Sequence, residues 1–450
     1  MKQLRSLTEG SLFKGIFWFS LPLVFSNLLQ VLFNMSDIAV VGRFAGADAL
    51  GSVGSTSTLV ALFTGFLMGI GSGVNVIVAR FYGARQPDEV EKTVHTAALL
   101  CLAAGLAVMA FGLVFTRPLL ELLNTKEELL SGAALYLRIY FLGMPALALY
   151  NFGNGVLSAV GDTRRPLCFL TISGVVNVLL NLFFVIICRL SVAGVAIASV
   201  ISLYISAVLV LLSLAGSVEE YGLRWKKLRI NRDRAHMLLS IGLPAGVQNA
   251  IFQIANLFIQ TGVNSFDATV VSGNAAATNA DALVYDVMAA FYTACSSFMS
   301  QNLGAEKQER VKKSYFISLG YSFGAGALLG AGLVLCGRVF LSLFTTETAV
   351  AAAGMERLTV MGFSYCVSAF MDCTIAASRG LGKSFVPTVI VILGSCVFRV
   401  IWVYTVFAYF HTIQSLYLLY VFSWSITSLA EIVYFIRCYQ KTFPKLPSAA

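Results

Sequence analysis

The chain has 450 residues, of which 58% are hydrophobic and only 12% charged, about half the charged share of a soluble globular domain. At roughly 20 apolar residues per membrane-crossing helix, this composition supplies about a dozen spans and leaves little for anything else. It excludes a soluble enzyme, a nucleic-acid binder and a secreted disulfide scaffold, and the net charge of +9 sits in short segments between apolar runs, where it encodes membrane topology.

Hydrophobic runs bounded by charge or turn signals fall at about 14–42, 50–80, 93–115, 132–158, 167–188 and 193–215, then at about 236–264, 271–302, 315–336, 357–378, 386–408 and 415–437. Twelve helices are predicted. The first apolar stretch runs from Ile16 past Val41 with no A-x-A cleavage site in it and reads as an uncleaved span. An even count puts both termini on one side, together with 23 Lys and Arg residues, from Lys2, Arg5 and Lys14 to Arg437, Lys441 and Lys445. The other side has six: Arg43, Arg117, Lys126, Arg189, Arg338 and Arg357. Cationic excess marks the cytoplasmic side, so the expectation is a cell-membrane protein with both termini cytoplasmic. Arg138 and Arg399 fall inside spans. Nine cysteines without a C-x-x-C pair, mostly in apolar runs, read as packing residues.

Sliding the chain against itself by 221 or 222 residues makes landmarks coincide. SLP at Ser20 to Pro22 meets GLP at Gly242 to Pro244. ARFYGARQ from Ala79 meets SQNLGAEK from Ser300, and GDTRRP from Gly161 meets GKSFVP from Gly382. The predicted organisation is an N-terminal six-helix lobe (1–215), a basic cytoplasmic linker (216–235), a C-terminal six-helix lobe (236–440) and a cytoplasmic tail (441–450). The fold class is all-α, a polytopic membrane protein of two parallel six-helix repeats. Transporters built from parallel repeats bind substrate between the halves near the midplane; a duplicated channel or receptor is the competing reading.

ASRGLGKS at 377–384 fails as a P-loop, because Ala377 replaces the first glycine and the segment follows a helix rather than a strand. His95, His236 and His411 are too far apart in sequence to suggest a metal site or a hydrolytic triad. The expectation is no enzyme and no cofactor, with transport driven by a transmembrane H⁺ or Na⁺ gradient. Gly65, Gly69 and Gly73, and again Gly326 and Gly330, make G-x-x-x-G steps that let helices approach closely, either within the bundle or across a homodimer. A monomer is expected.

Four acids interrupt the hydrophobic runs: Asp37, Asp281, Asp286 and Asp372. Each is disfavoured at mid-helix by roughly 2.5 to 3.5 kcal/mol, so each should face a cavity or a partner. Asn34 precedes Asp37 by one turn, and Asn177 and Asn181 form an i, i+4 pair on one face. A carboxylate among amides can carry a proton or hold a small cation. Asp281 and Asp286, five residues apart, point about 140° away from each other on a helix. Arg399 needs a carboxylate partner, which one of these acids should supply.

These residues make the chain familiar. NMSDIAVVGRFAGADAL from Asn34, QNLGAEK from Gln301 and AASRGLGKSFVP from Ala376, set in twelve helices, resemble the MATE family, the multidrug and toxic compound extrusion antiporters of the MOP superfamily. The resemblance implies two lobes forming a V and rocker-type alternating access. It implies export of amphipathic, often cationic compounds against inward H⁺ or Na⁺. Asp37 matches the acid that the family uses in ion coupling, and Asn177 and Asn181 match its fifth-span polar pair; Asn34, one turn before Asp37, joins them in the expected ion site. Asn181 stands where many members carry Asp, which leaves the first lobe one charge poorer and argues against a two-acid Na⁺ site; beyond a Na⁺ at Asp37 no metal ion is expected. Asp372 matches an acid implicated in coupling or substrate binding, and Gln253 stands where some members carry another acid. Asp372, Asp281, Asp286, Arg399 and Gln253 are the expected substrate-contact residues. A lipid-linked or polymer flippase, and a non-transporting receptor or scaffold, are the alternatives.

Overall fold

A computed structural model of the protein describes residues 6–444. Lys2, Arg5 and Lys445, three of the cations used for the orientation, and residues 445–450 of the tail lie outside the described residues.

The chain runs through α1 (Leu12–Phe44), α2 (Ala47–Gly83), α3 (Pro87–Leu122), α4 (Glu127–Phe141), α5 (Met144–Ala159), α6 (Arg164–Ile187), α7 (Ser191–Ala215), α8 (Arg232–Val263), α9 (Ala268–Gly304), α10 (Gln308–Leu341), α11 (Thr348–Gly380), α12 (Phe385–Phe410) and α13 (Ile413–Thr442). Eleven of these are long and apolar enough to cross a membrane alone. The shorter α4 and α5, bent by 46° at their junction, make a twelfth span together. Pro145 causes the break: it has no N–H to donate and its ring clashes with the carbonyl one turn back. In the second repeat Cys366 stands 221 residues on from Pro145, and α11 runs unbroken through it.

The repeat extends to backbone conformation. Gly161 and Gly382 have φ of 92° and 81°, and Arg85 and Glu306 have φ of 54° and 57°, so each pair of matched turns uses the left-handed region at the same place. Both α6 and α12 carry π-helical turns, at Phe183–Ile187 in the first and at Ile392–Val397 and Val403–Phe407 in the second.

The described residues form two compact units, one of Phe25–Ala250 and the other of Ser6–Val24 with residues 251–444. The unit boundary therefore differs from the repeat boundary near 215–235. In the second unit Leu12, Ile16, Phe19 and Leu23 of α1 bury against Ala290, Ala294 and Phe298 of α9. In the first unit the opening turns of α8 lie so close to α2 that a Cβ on Gly69 would fall 2.2 Å from the nitrogen of Gly246, and one on Gly73 would fall 2.7 Å from that of Gly242. In the second, a Cβ on Gly330 would meet the Gly362 carbonyl at 2.2 Å. Both glycine ladders thus serve close packing inside a unit, the first of the two uses their spacing allows. The linker is pinned to the first unit, with Tyr221 and Leu223 buried. There the Arg224 N–H donates to His95 Nε2 at 2.9 Å and the Asn231 N–H to Thr96 Oγ1 at 3.0 Å.

Candidate functional site

In the first unit α1, α6 and α7 bring together residues that are far apart in sequence. The Asp37 carboxylate accepts hydrogen bonds from Asn181 Nδ2 and, at 3.2 Å, from Ser199 Oγ. Asn181 also donates to Asn177 Oδ1 at 3.2 Å, one turn back on α6. Asn181 is fully buried and Asn177 nearly so. The Asn181 Oδ1 has no hydrogen-bond partner among the described residues. Three of the four expected ion-site residues therefore form one chain of contacts. Asn34 lines the same cavity without a hydrogen bond to Asp37 among the described residues.

Asp37 stands in the wall of a 380 Å³ cavity contained within this unit. Around it lie Phe33, Ile38, Val60, Met68, Tyr136, Tyr140, Tyr150 and Leu203, with the hydroxyls of Thr56, Thr64, Ser199, Ser202 and Ser206 between them. Asp37 is the single charged residue of the lining. The cavity needs Gly174, since a Cβ there would collide with the Phe33 ring. Arg138 of α4 is exposed and takes no part in the lining.

In the second unit the expected contact residues separate into three clusters. The Arg357 Nε donates to Asp281 Oδ2 at 2.7 Å and its Nη1 to Asn274 Oδ1 at 2.9 Å, while Tyr365 donates to the other oxygen of Asp281. The sequence places Arg357 among the cations of the outer side, yet it is 5% exposed and ion-paired. Asp372 accepts from Tyr285 Oη at 2.7 Å and Ser368 Oγ at 2.9 Å. Arg399 has no ion pair within 4.0 Å among the described residues, which corrects the expectation of a directly paired acid. It donates to Asn256 Oδ1 at 3.3 Å and Ser423 Oγ at 3.4 Å, under the rings of Tyr420, Phe252 and Trp424. The reason is that Arg357, closer to Asp281, takes its charge, and aromatic faces attract the guanidinium in place of a carboxylate. Asp286 is half-buried, interacts with Tyr292 and belongs to none of these clusters. Gln253 is half-buried on α8.

The sequence reading passes over Ser199, Asn256 and Glu431. The first two carry no signal, being polar residues of common types in spans. Glu431 does carry one: it is an acid inside the last hydrophobic run, and it is fully buried.

The MatE family model matches residues 22–183 and again 244–405, two copies displaced by the same 222 residues as the internal repeat. The chain belongs to the MATE family. Members of this family are membrane transporters. This MATE protein is 26% identical over 392 residues to a probable multidrug resistance protein, YoeA, of Bacillus subtilis, covering 85% of this chain and 84% of that one. It is 28% identical to an FAD transporter of Shewanella oneidensis, covering 78% of each, and 21% identical to the probable multidrug resistance protein NorM of Thermotoga maritima, covering 84% and 82%. Among solved structures, a MOP superfamily transporter of Pyrococcus furiosus, described as having a binding pocket of reverse polarity, superposes with a TM-score of 0.92 over 99% of both chains at 19% identity. An outward-facing multidrug-resistance MATE transporter superposes at 0.90 over 99% of both chains at 20%. These likenesses fix the fold.

Proposed function

We propose that the protein exports amphipathic organic cations in exchange for an inward-moving ion, by alternating access, with Asp37 as the coupling carboxylate. The observation that carries this reading is the 380 Å³ cavity of mostly apolar and aromatic wall with one carboxylate and no cation in its lining. Such a wall strengthens the field of a single charge and suits a cation with an apolar body. One carboxylate cannot stay paired with a proton and an organic cation at once, and that competition is what an exchanger needs.

H⁺ is the coupling ion that the site suits better. Both oxygens of Asp37 are held by donors, Asn181 and Ser199, rather than surrounded by the oxygen ligands that a hard cation prefers. The amide of Asn181 can turn its unpartnered Oδ1 toward Asp37 when the carboxyl holds a proton. Na⁺ would need that same rotation plus further oxygens. The test is flux of a fluorescent organic cation in proteoliposomes under an imposed pH gradient and, separately, an imposed Na⁺ gradient. Uphill movement with the pH gradient alone is expected, and Asp37→Asn should abolish it. Pumping by Asp37→Asn would place the coupling elsewhere.

A second reading has one relative behind it: the 28% identical protein named as an FAD transporter. FAD carries phosphate charge, and the buried Arg399, without an acid within salt-bridge distance, is the group that would meet an anion. Competition of FAD with the fluorescent cation in the same assay separates the two.

A further inference from the structure

Among the described residues, the wall of the Asp37 cavity contains one glycine and one phenylalanine, Gly174 and Phe33, and the two touch. Gly174 lies in the middle of α6, where glycine is disfavoured against every residue but proline. The backbone does not call for it, since Gly174 has no positive φ. The space its missing side chain leaves is taken by the ring of Phe33 on α1: an added Cβ would overlap the ring atoms Cδ2, Cε2 and Cζ. Helical spacing ties this contact to the ion site. Gly174, Asn177 and Asn181 share one face of α6 at i, i+3 and i+7, and Phe33 and Asp37 share one face of α1 at i and i+4. The ring therefore rests on bare backbone one turn before the carboxylate, about 6 Å along the helix.

We propose that Phe33 sets the width of the cargo site, that Gly174 is the seat which keeps its ring aside, and that the seat admits bulky, ring-bearing cations. With the ring seated the cavity measures 380 Å³, inside the range of about 300 to 1,000 Å³ of sites that hold drug-sized ligands. The seat is rigid: α6 cannot draw back from the ring without carrying Asn177 and Asn181 away from Asp37. The ring is the movable partner, because it turns about its own side-chain torsions, and the open space beside it is the cavity it lines. A methyl group at position 174 therefore drives the ring toward Asp37. There it excludes bulky cations and spares compact ones, whose charge still reaches the carboxylate.

This inference rests on the export reading, and two measurements on the full-length protein in lipid nanodiscs let the two fail separately. In the first, 4-fluorophenylalanine in place of Phe33 reports the ring by its fluorine resonance, with no cargo present. Gly174→Ala should shift that resonance; an unmoved one overturns the seat, whatever the protein carries. The second is equilibrium binding of tetraphenylphosphonium, of the compact cation tetraethylammonium and of the neutral triphenylphosphine oxide. Gly174→Ala should weaken tetraphenylphosphonium about tenfold, as overpacking of a filled site does, and leave tetraethylammonium at the parent affinity. With Phe33→Ala added, the atoms that the methyl meets are gone. The double variant should then bind tetraphenylphosphonium as Phe33→Ala alone does, a non-additivity that simple loosening of the helices would not produce. Equal losses for both cations, or a double variant as weak as Gly174→Ala, overturn the proposal. If the parent holds triphenylphosphine oxide as tightly as tetraphenylphosphonium, the cationic cargo is refuted alone, and Gly174→Ala should weaken both bulky ligands alike. If Gly174→Ala does not fold, recovery of the fold in the double variant supports the seat and its absence refutes it.

Discussion

The Arg357 guanidinium is held by Asp281 at 2.7 Å and Asn274 at 2.9 Å and flanked by the rings of Tyr417 and Tyr420. Both ends of this ion pair are buried, so removing one leaves the other charge without compensation. Arg357→Leu should cost about 3 to 5 kcal/mol, whereas the double change with Asp281→Leu should cost much less. Melting temperatures of the purified variants in one detergent check this; an additive double variant would show the pair to be energetically idle. Asn181 invites a second prediction. Asn181→Asp would set a second carboxylate against Asp37, and two acids at hydrogen-bonding range share a proton or a cation rather than both ionise alone. The variant should gain Na⁺ sensitivity in uphill export, measured in proteoliposomes at fixed pH, while the parent protein shows none.

At the scale of elements, helix contacts are set by residues that lack side chains. A Cβ on Gly69 would sit 2.2 Å from a backbone atom of α8, and neither helix can give way without separating along its length. Gly69→Leu should therefore abolish recovery of folded protein. Gly320→Leu is the matched control, because a Cβ there meets nothing within 4 Å, and it should express at the parent level. Monodisperse yield in size-exclusion chromatography distinguishes the two, and equal yields would mean that α2 and α8 are not packed as described. The break between α4 and α5 follows the same logic from the opposite side: Pro145 interrupts one span, and its repeat counterpart Cys366 leaves α11 continuous, so Arg357 and Tyr365 stay on one rigid helix to meet Asp281.

For the whole molecule the cations set the orientation. The cation asymmetry predicts that the linker faces the cytoplasm and that the turn between α8 and α9 faces outward. Val218 is 86% exposed, and Ser265 is exposed in the turn after α8, where its Oγ donates to the Gly262 carbonyl at 2.7 Å. On a cysteine-free background, Val218→Cys should react with an impermeant maleimide only after the membrane is opened, and Ser265→Cys should react in intact cells. Labelling of Ser265→Cys solely from the cytoplasmic side would invert the topology.

The number of spans is legible in the amino-acid order, because burying backbone in lipid demands about 20 apolar residues in each, and so is the repeat, because matched turns keep their glycines and prolines. The same order determined that Asn177 and Asn181 share a face, since helical spacing is local. The partner of each charge was decided only by tertiary structure. Asp37 meets Ser199 across 162 residues, and Asp281 takes Arg357 where the spans alone suggested Arg399. A hydrophobic run reports that a charge is buried, but its neighbours depend on helix rotation and on unit membership, and α1 and α8 each change units part-way along their length. No turn or break marks that crossing, because each helix runs on through the boundary, and only packing reveals it.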